Sequence, residues 1–138
     1  MMKPMRMIAA LLAMLAGTAP AIAADWRQVS SDDAGRNFID FATLKKTGHT
    51  VSFEALMVFS RRAPSGFDNA RVRLDADCST HSYLMRSRRF YFGAHFLRDT
   101  GDAPRAVAEP DSRIFDMIQA ACGVGRTTAV KDPFARPR

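Results

Sequence analysis

The sequence predicts an α+β domain: a mostly antiparallel sheet of about five or six strands, with one C-terminal helix packed on a face and tied to it by a disulfide. Three observations carry this. RVRLDADC, Arg71 to Cys78, alternates strictly, with Val72, Leu74, Ala76 and Cys78 on one side and Arg71, Arg73, Asp75 and Asp77 on the other, the period of a half-buried strand. RIFDMIQAAC, Arg113 to Cys122, instead sets Ile114, Phe115, Ile118, Ala121 and Cys122 on one side at helical spacing. The only two cysteines of the 138 residues, Cys78 and Cys122, end these two segments. A run of strands followed by a single helix belongs to the α+β class, where the helix covers one face of the sheet.

The N-terminus opens with MMKPMRM, carrying Lys3 and Arg6, continues through an apolar run from Met7 to Gly17 and reaches Ala21-Ile22-Ala23. A basic start, a short apolar stretch and a small-x-small site read as a secretory signal peptide over residues 1–23, cleaved after Ala23 or, alternatively, after Ala24. The run is shorter than the roughly 20 residues a membrane helix needs, so no transmembrane segment is expected. With no cysteine beside the cleavage site to carry a lipid, the mature chain is expected to be exported and soluble, periplasmic or secreted. The formal net charge is +6, and only Lys3 and Arg6 leave with the leader. A basic balance of this kind favours acidic partners without naming one.

In an exported chain an even cysteine count reads as a disulfide, and two cysteines allow one intramolecular pairing. No C-x-x-C motif suggests a redox pair. A crosslink closing this segment contributes about 4 kcal/mol on the chain-entropy account, a large share of the usual margin of about 5–15 kcal/mol.

Within the domain, residues 24–123, Trp26 to Val29 alternates like a first edge strand and is followed by the turn-prone SSDDAGRN, Ser30 to Asn37. Phe38 to Phe41 is a short second strand, and Leu44 to His49 supplies a turn. TVSFEALMVFS, Thr50 to Ser60, puts Val51, Phe53, Ala55, Met57 and Phe59 on one face. Its other face starts polar with Ser52 and Glu54 and turns apolar at Leu56 and Val58, so its later half is expected to be covered on both sides. The loop Arg61 to Asn69 leads into the Arg71 strand. Tyr83 to Met85 and then Arg88 to Phe96 give two further extended segments. Ser112 is a helix N-cap and Gly123 stands where a C-cap glycine belongs. Residues 124–138 read as a basic, flexible tail.

The segment RSRRFYF, Arg86 to Phe92, combines three arginines with three aromatics, which resembles a surface that pairs phosphates and stacks bases. Alternation divides it, with Arg88, Phe90 and Phe92 on one face and Arg89 and Tyr91 on the other, and an exported protein meets little nucleic acid. No nucleic-acid partner is expected. The sharper alternative to a solvated strand face is an anion-binding patch formed by Arg86, Arg88 and Arg89 with Arg71 and Arg73 of a neighbouring strand.

Cys78-x-x-His81 imitates half of a zinc site, but no second ligand pair follows and a disulfide removes Cys78, so neither metal nor cofactor is expected. Ser79, His81 and Ser82 lack the G-x-S-x-G context of a nucleophile elbow, and no catalytic residues are assigned. Gly123-x-Gly125 follows a helix rather than a strand, the wrong setting for a dinucleotide fingerprint. Trp26 is a candidate platform for a ligand, though a core or sheet-edge tryptophan is the commoner case.

The order of these features, Trp26 to Val29, Phe38-Ile39-Asp40, the strand ending Asp77-Cys78, Phe90 to Gly93, and the Pro110-Asp111-Ser112 helix ending in Cys122, resembles the surface-adhesin protein E-like family of small exported bacterial domains. The likeness spans about Trp26 to Gly123. It implies a six-stranded or similar antiparallel sheet with a C-terminal helix tied by the same two cysteines, and it brings no catalytic residues. Family members displayed as lipoproteins bind host matrix proteins; the missing lipobox cysteine is a departure from them. The function expected is therefore a non-enzymatic, adhesin-like envelope domain with a basic sheet face for a protein, anionic envelope or host-matrix partner. The alternative is a small periplasmic enzyme or enzyme inhibitor with a pocket near His81 or His95.

Overall fold

A computed structural model of the chain describes residues 23–135. Residues 1–22, which hold nearly all of the expected leader, and residues 136–138 lie outside the described residues.

The sheet has eight strands rather than five or six: β1 (Trp26–Asp32), β2 (Gly35–Thr47), β3 (Thr50–Phe59), β4 (Asn69–Asp77), β5 (Ser82–Phe92), β6 (His95–Asp99), β7 (Ala106–Val107) and β8 (Thr128–Ala129), with helix α1 (Arg113–Ala121) between the last two. They lie in the order β6-β5-β4-β3-β2-β1-β8, with β7 alongside β5. Every pairing is antiparallel.

The two additional strands are β7 and β8, and elsewhere the boundaries move for local reasons. The segments expected at 83–85 and 88–96 are one strand, β5, plus a hairpin partner, β6, divided by a turn at Gly93 and Ala94. Two-residue β7 and β8 are too short to leave a period in the sequence. The strands are also longer than expected, because the turns are tight. The Asp32 carboxylate accepts the N–H groups of Ala34 at 2.8 Å and Gly35 at 3.1 Å, which closes the chain within Asp33 and Ala34. Gly35 has φ 154°, and a Cβ there would lie 2.1 Å from the Val58 carbonyl oxygen, so only glycine lets β2 start this close to β3. Leu44 to Thr47, expected as a turn, continues β2, and only Gly48 and His49 turn.

Helix α1 begins as expected, the Ser112 hydroxyl accepting the Phe115 N–H at 3.1 Å. It ends in a Schellman motif, with Gly123 at φ 86°, its N–H donating to Ala120 and that of Val124 to Gln119, at 3.1 and 2.8 Å. Met117 and Ile118 pack on Ile39, Val51, Phe53, Val72 and Leu74, all at most 2% exposed. Each such side chain contributes about 1.5–3 kcal/mol. Cys78 and Cys122 are joined, with Cα atoms 5.9 Å apart.

The opposite face of the sheet has its own smaller apolar centre. Phe38 and Leu56 face each other across β2 and β3 and are fully buried, yet neither belongs to the cluster beneath the helix. The expectation that β3 is covered on both sides thus holds at Leu56. After β8, the chain returns over this face: Pro133 is buried and the Ala135 carbonyl accepts from Arg36 Nη1 at 2.9 Å.

Candidate functional site

Register alone decides which of the predicted arginines meet. Residues opposite one another in neighbouring strands share a face, and β4 sets Arg71 opposite Arg89 and Arg73 opposite Arg86. On the other side of β4, Arg71 faces Leu56 and Arg73 faces Glu54. Four of the five arginines therefore converge on the open face, away from the helix.

Strict alternation would have kept Arg86 and Arg89 apart, being three residues apart in one strand. A bulge prevents this: the register shifts between Arg71 and Arg73, and Ser87 takes φ 47°. One extra residue in β5 turns both side chains to the same side. Arg88 is the exception. It falls on the other face, where its Nε donates to the Gly101 carbonyl at 3.2 Å and ties down the loop after β6.

Like charges placed opposite each other repel, and acidic neighbours offset part of this. Arg86 Nε lies 2.8 Å from Asp75 Oδ2, and Arg89 Nη2 lies 3.7 Å from Glu54 Oε1. Arg73 Nη2 donates to Ser52 Oγ at 3.2 Å. Arg71 has aromatic company instead, its guanidinium carbon 5.9 Å from the Trp26 ring and 5.8 Å from that of Tyr91. Among the described residues, neither Arg71 nor Arg73 forms an ion pair. Half of the convergent charge is thus compensated within the face, and the uncompensated half lies in β4.

Three hollows open around these residues. One of about 460 Å³ is lined by Asn69, Arg71, Tyr91, Gly93, Ala94 and Phe134. A second, about 550 Å³, includes Asp32, Arg36, Val58, Asp68 and again Phe134. A third, about 310 Å³, lies among Glu54, Arg73, Ser87, Arg89 and Asp99. Arg36 and Phe134 were not singled out from the sequence, and Tyr91 was placed on the face of Arg89 but not among the binding residues. The usable signal for Tyr91 was its alternation with Arg89, which the bulge does not disturb.

The other aromatics of RSRRFYF lie across the sheet. Phe90 packs on Phe67 at 4.6 Å with Arg98 over its ring at 5.1 Å, and Phe92 lies under Arg62 at 4.0 Å. The basic and aromatic stretch is therefore divided between faces, as alternation requires.

The histidines do not build a pocket. His81, at φ 58°, stacks on Phe115 at 4.8 Å and so helps dock the helix, while His95 is exposed at the start of β6. Neither lines any of the three hollows. Cys78 is held in the disulfide and is not available as a ligand.

Two carboxylates are shifted, and both belong to turns. The Ala34 N–H, followed by Arg113, holds the Asp32 carboxyl below its ordinary value of 3.8. Arg113 reaches it from the helix with Nε and Nη2, each at 3.2 Å. Asp77 is held well below the usual carboxylate range by the Ser79 hydroxyl and then by the Thr80 and Ser79 N–H groups. No helix among the described residues is long and apolar enough to cross a membrane.

Comparison with known proteins adds a family and a fold. The family model described as surface-adhesin protein E matches residues 26–123. Among solved structures, protein E of Haemophilus influenzae is similar in a second crystal form, with TM-score 0.52 at 13% identity over 75% of this chain and 91% of that one. A selenomethionine form gives TM-score 0.53 at 18% identity over 77% and 93%. At such identities the likeness speaks to the fold. Comparison with curated proteins gives no match.

Proposed function

The chain belongs to the surface-adhesin protein E family, and from that premise we propose that it is an exported, non-enzymatic binding domain of the bacterial envelope whose open sheet face engages a protein partner. The observation that carries the reading is the convergence of Arg71, Arg73, Arg86 and Arg89 from two strands onto one face beside Trp26 and Tyr91. Aromatic residues and arginine are the types enriched where protein partners bind.

The charge pattern narrows the partner. Arg86 and Arg89 already have carboxylates, so among the described residues the face offers two guanidiniums without an ion pair, Arg71 beside aromatic rings and Arg73 on the Ser52 hydroxyl, rather than a continuous cationic strip. This favours a protein surface with a few carboxylates among apolar groups over a polyanion. Host-matrix and envelope proteins both fit that description.

The test is binding of the chain from Ala24 onward to immobilised matrix proteins and to envelope extract, at low and high salt, for wild type and for Arg71→Glu/Arg73→Glu. Arg73 is exposed and Arg71 half-buried, and an unfolding midpoint of the double variant close to that of wild type shows that the fold is kept. Binding is expected to weaken about tenfold or more, equivalent to about 1.4 kcal/mol, with the wild-type interaction reduced at high salt. Undiminished binding by the folded double variant overturns the proposal.

A further inference from the structure

The segment after β8 occupies the open face in a way the binding reading does not use. The Val130 N–H donates to the Trp26 carbonyl at 3.0 Å, Pro133 is buried, and the Ala135 carbonyl accepts from Arg36. Asp132 Oδ1 accepts the Phe134 N–H at 2.9 Å. Phe134, 41% exposed, lines both the hollow beside Arg71 and Tyr91 and the hollow beside Arg36. It is the residue that these two hollows have in common.

We propose that residues 131–135 fill, in cis, a peptide-binding groove whose ligand in trans is a protein segment carrying an aromatic side chain next to a carboxylate. This rests on the open face being the binding face. The tail shows what the groove accepts: an aromatic residue bordering both hollows, with a backbone carbonyl held by a guanidinium. It also shows what the groove lacks. Arg71, in the wall of the same hollow, has no ion pair among the described residues. The tail's own carboxylate, Asp132, is turned onto a backbone N–H, and the residue after Ala135 in the sequence is another arginine.

The cis segment thus satisfies the apolar half of the site and leaves its charged half open. A ligand with both groups satisfies both halves. The incumbent is weakly held, by a two-residue strand and a half-exposed ring, but a short tether gives it an effective concentration on the order of mM. Its presence lowers the apparent affinity of any competitor by the fraction of molecules in which the groove is filled.

The experiment uses the full chain from Ala24, wild type and Phe134→Ala, titrated with two synthetic peptides and followed by the emission of Trp26, the sole tryptophan. One peptide is Lys-Asp-Pro-Phe-Ala-Asp, the chain's own residues 131–135 with an added aspartate; the other has alanine for its phenylalanine. Phe134→Ala is expected to bind the aromatic peptide about tenfold more tightly than wild type does, and to bind the alanine peptide no better. Adding Arg71→Ala to Phe134→Ala is expected to weaken binding of the aromatic peptide severalfold, because its terminal aspartate then has no Arg71 guanidinium to meet. An unchanged unfolding midpoint for Phe134→Ala shows that its fold is retained.

Equal affinity of wild type and Phe134→Ala for the aromatic peptide, or no binding by either, overturns the proposal. The two readings fail separately. If Arg71→Glu/Arg73→Glu abolishes partner binding while Phe134→Ala gains nothing, the face binds but the tail is not its cis ligand. If Phe134→Ala captures the peptide while the double reversal leaves partner binding intact, the groove stands and the partner uses another surface.

Discussion

On the helix side of the sheet, Ile39, Val51, Phe53 and Leu74 are fully buried beneath Met117 and Ile118 and fastened through Cys78 and Cys122. On the other side the large apolar side chains that the same strands bury are Phe38 and Leu56, surrounded by arginines, Trp26 and Tyr91. The first face is held by apolar area and a covalent bond. The second is held by exposed ion pairs, each contributing at most about 1 kcal/mol, and by cation–π contacts of about 0.5–1 kcal/mol. Groups bound that weakly can exchange neighbours at little cost, which a binding surface needs and a core does not. On the proposed reading, fold stability and the capacity to bind fall to opposite faces of one sheet.

The largest expected effect lies on the helix side. Replacing both cysteines, Cys78→Ser with Cys122→Ser, frees a segment of sequence separation 44 and is expected to lower unfolding stability by about 4 kcal/mol. Urea titration of the double variant against the oxidised wild type measures it. The division between faces further requires that the variant, while still folded, keep its partner binding; loss of binding with an intact sheet would show that the helix positions the arginine face.

Leu56→Ala probes the open side. Were that face merely a solvated surface, the change would cost little; because Leu56 is 0% exposed, it is expected to cost about 3 kcal/mol, as a core leucine does. A urea midpoint within the range of surface substitutions would mean that the second apolar centre contributes nothing and that one core holds the domain.

Those two faces were unequally legible. The helix side could be read because alternation in β4 and the capped period of α1 both report burial against a single partner. Ser112 and Gly123 mark the helix ends by their backbone requirements, and two cysteines in an exported chain leave one pairing. Strand length was harder. The turn after Asp32 is set by one carboxylate and by the glycine at 35, and such turns look like loops when only polar composition is counted. On the open side, β4 was readable, since Arg71 and Arg73 alternate regularly. The convergence of Arg86 with Arg89 was not, because the bulge at Ser87 carries no composition signal and reverses the parity on which alternation depends. The return of Phe134 over the sheet is a long-range contact, and no local pattern encodes it.

The smallest effect concerns a residue that links the two faces. Asp32 closes the β1–β2 turn, lines the hollow beside Arg36, and accepts from Arg113 at the start of the helix. Its carboxyl is held below the ordinary 3.8 by the Ala34 N–H first and Arg113 second, so folding favours the ionised form. The stability this supplies is therefore present above the unfolded value and lost as pH falls through the folded one. Asp32→Asn keeps an oxygen that can accept the turn N–H groups but removes the charge that Arg113 meets. The variant is expected to be slightly less stable than wild type at about pH 7 and to approach it as pH falls through the folded value, below 3.8, where the wild-type carboxyl also becomes neutral. Urea midpoints of the two proteins at each pH measure the gap. A gap that stays constant would mean that the turn geometry alone matters, and that the Arg113 contact does not couple the helix face to the open one.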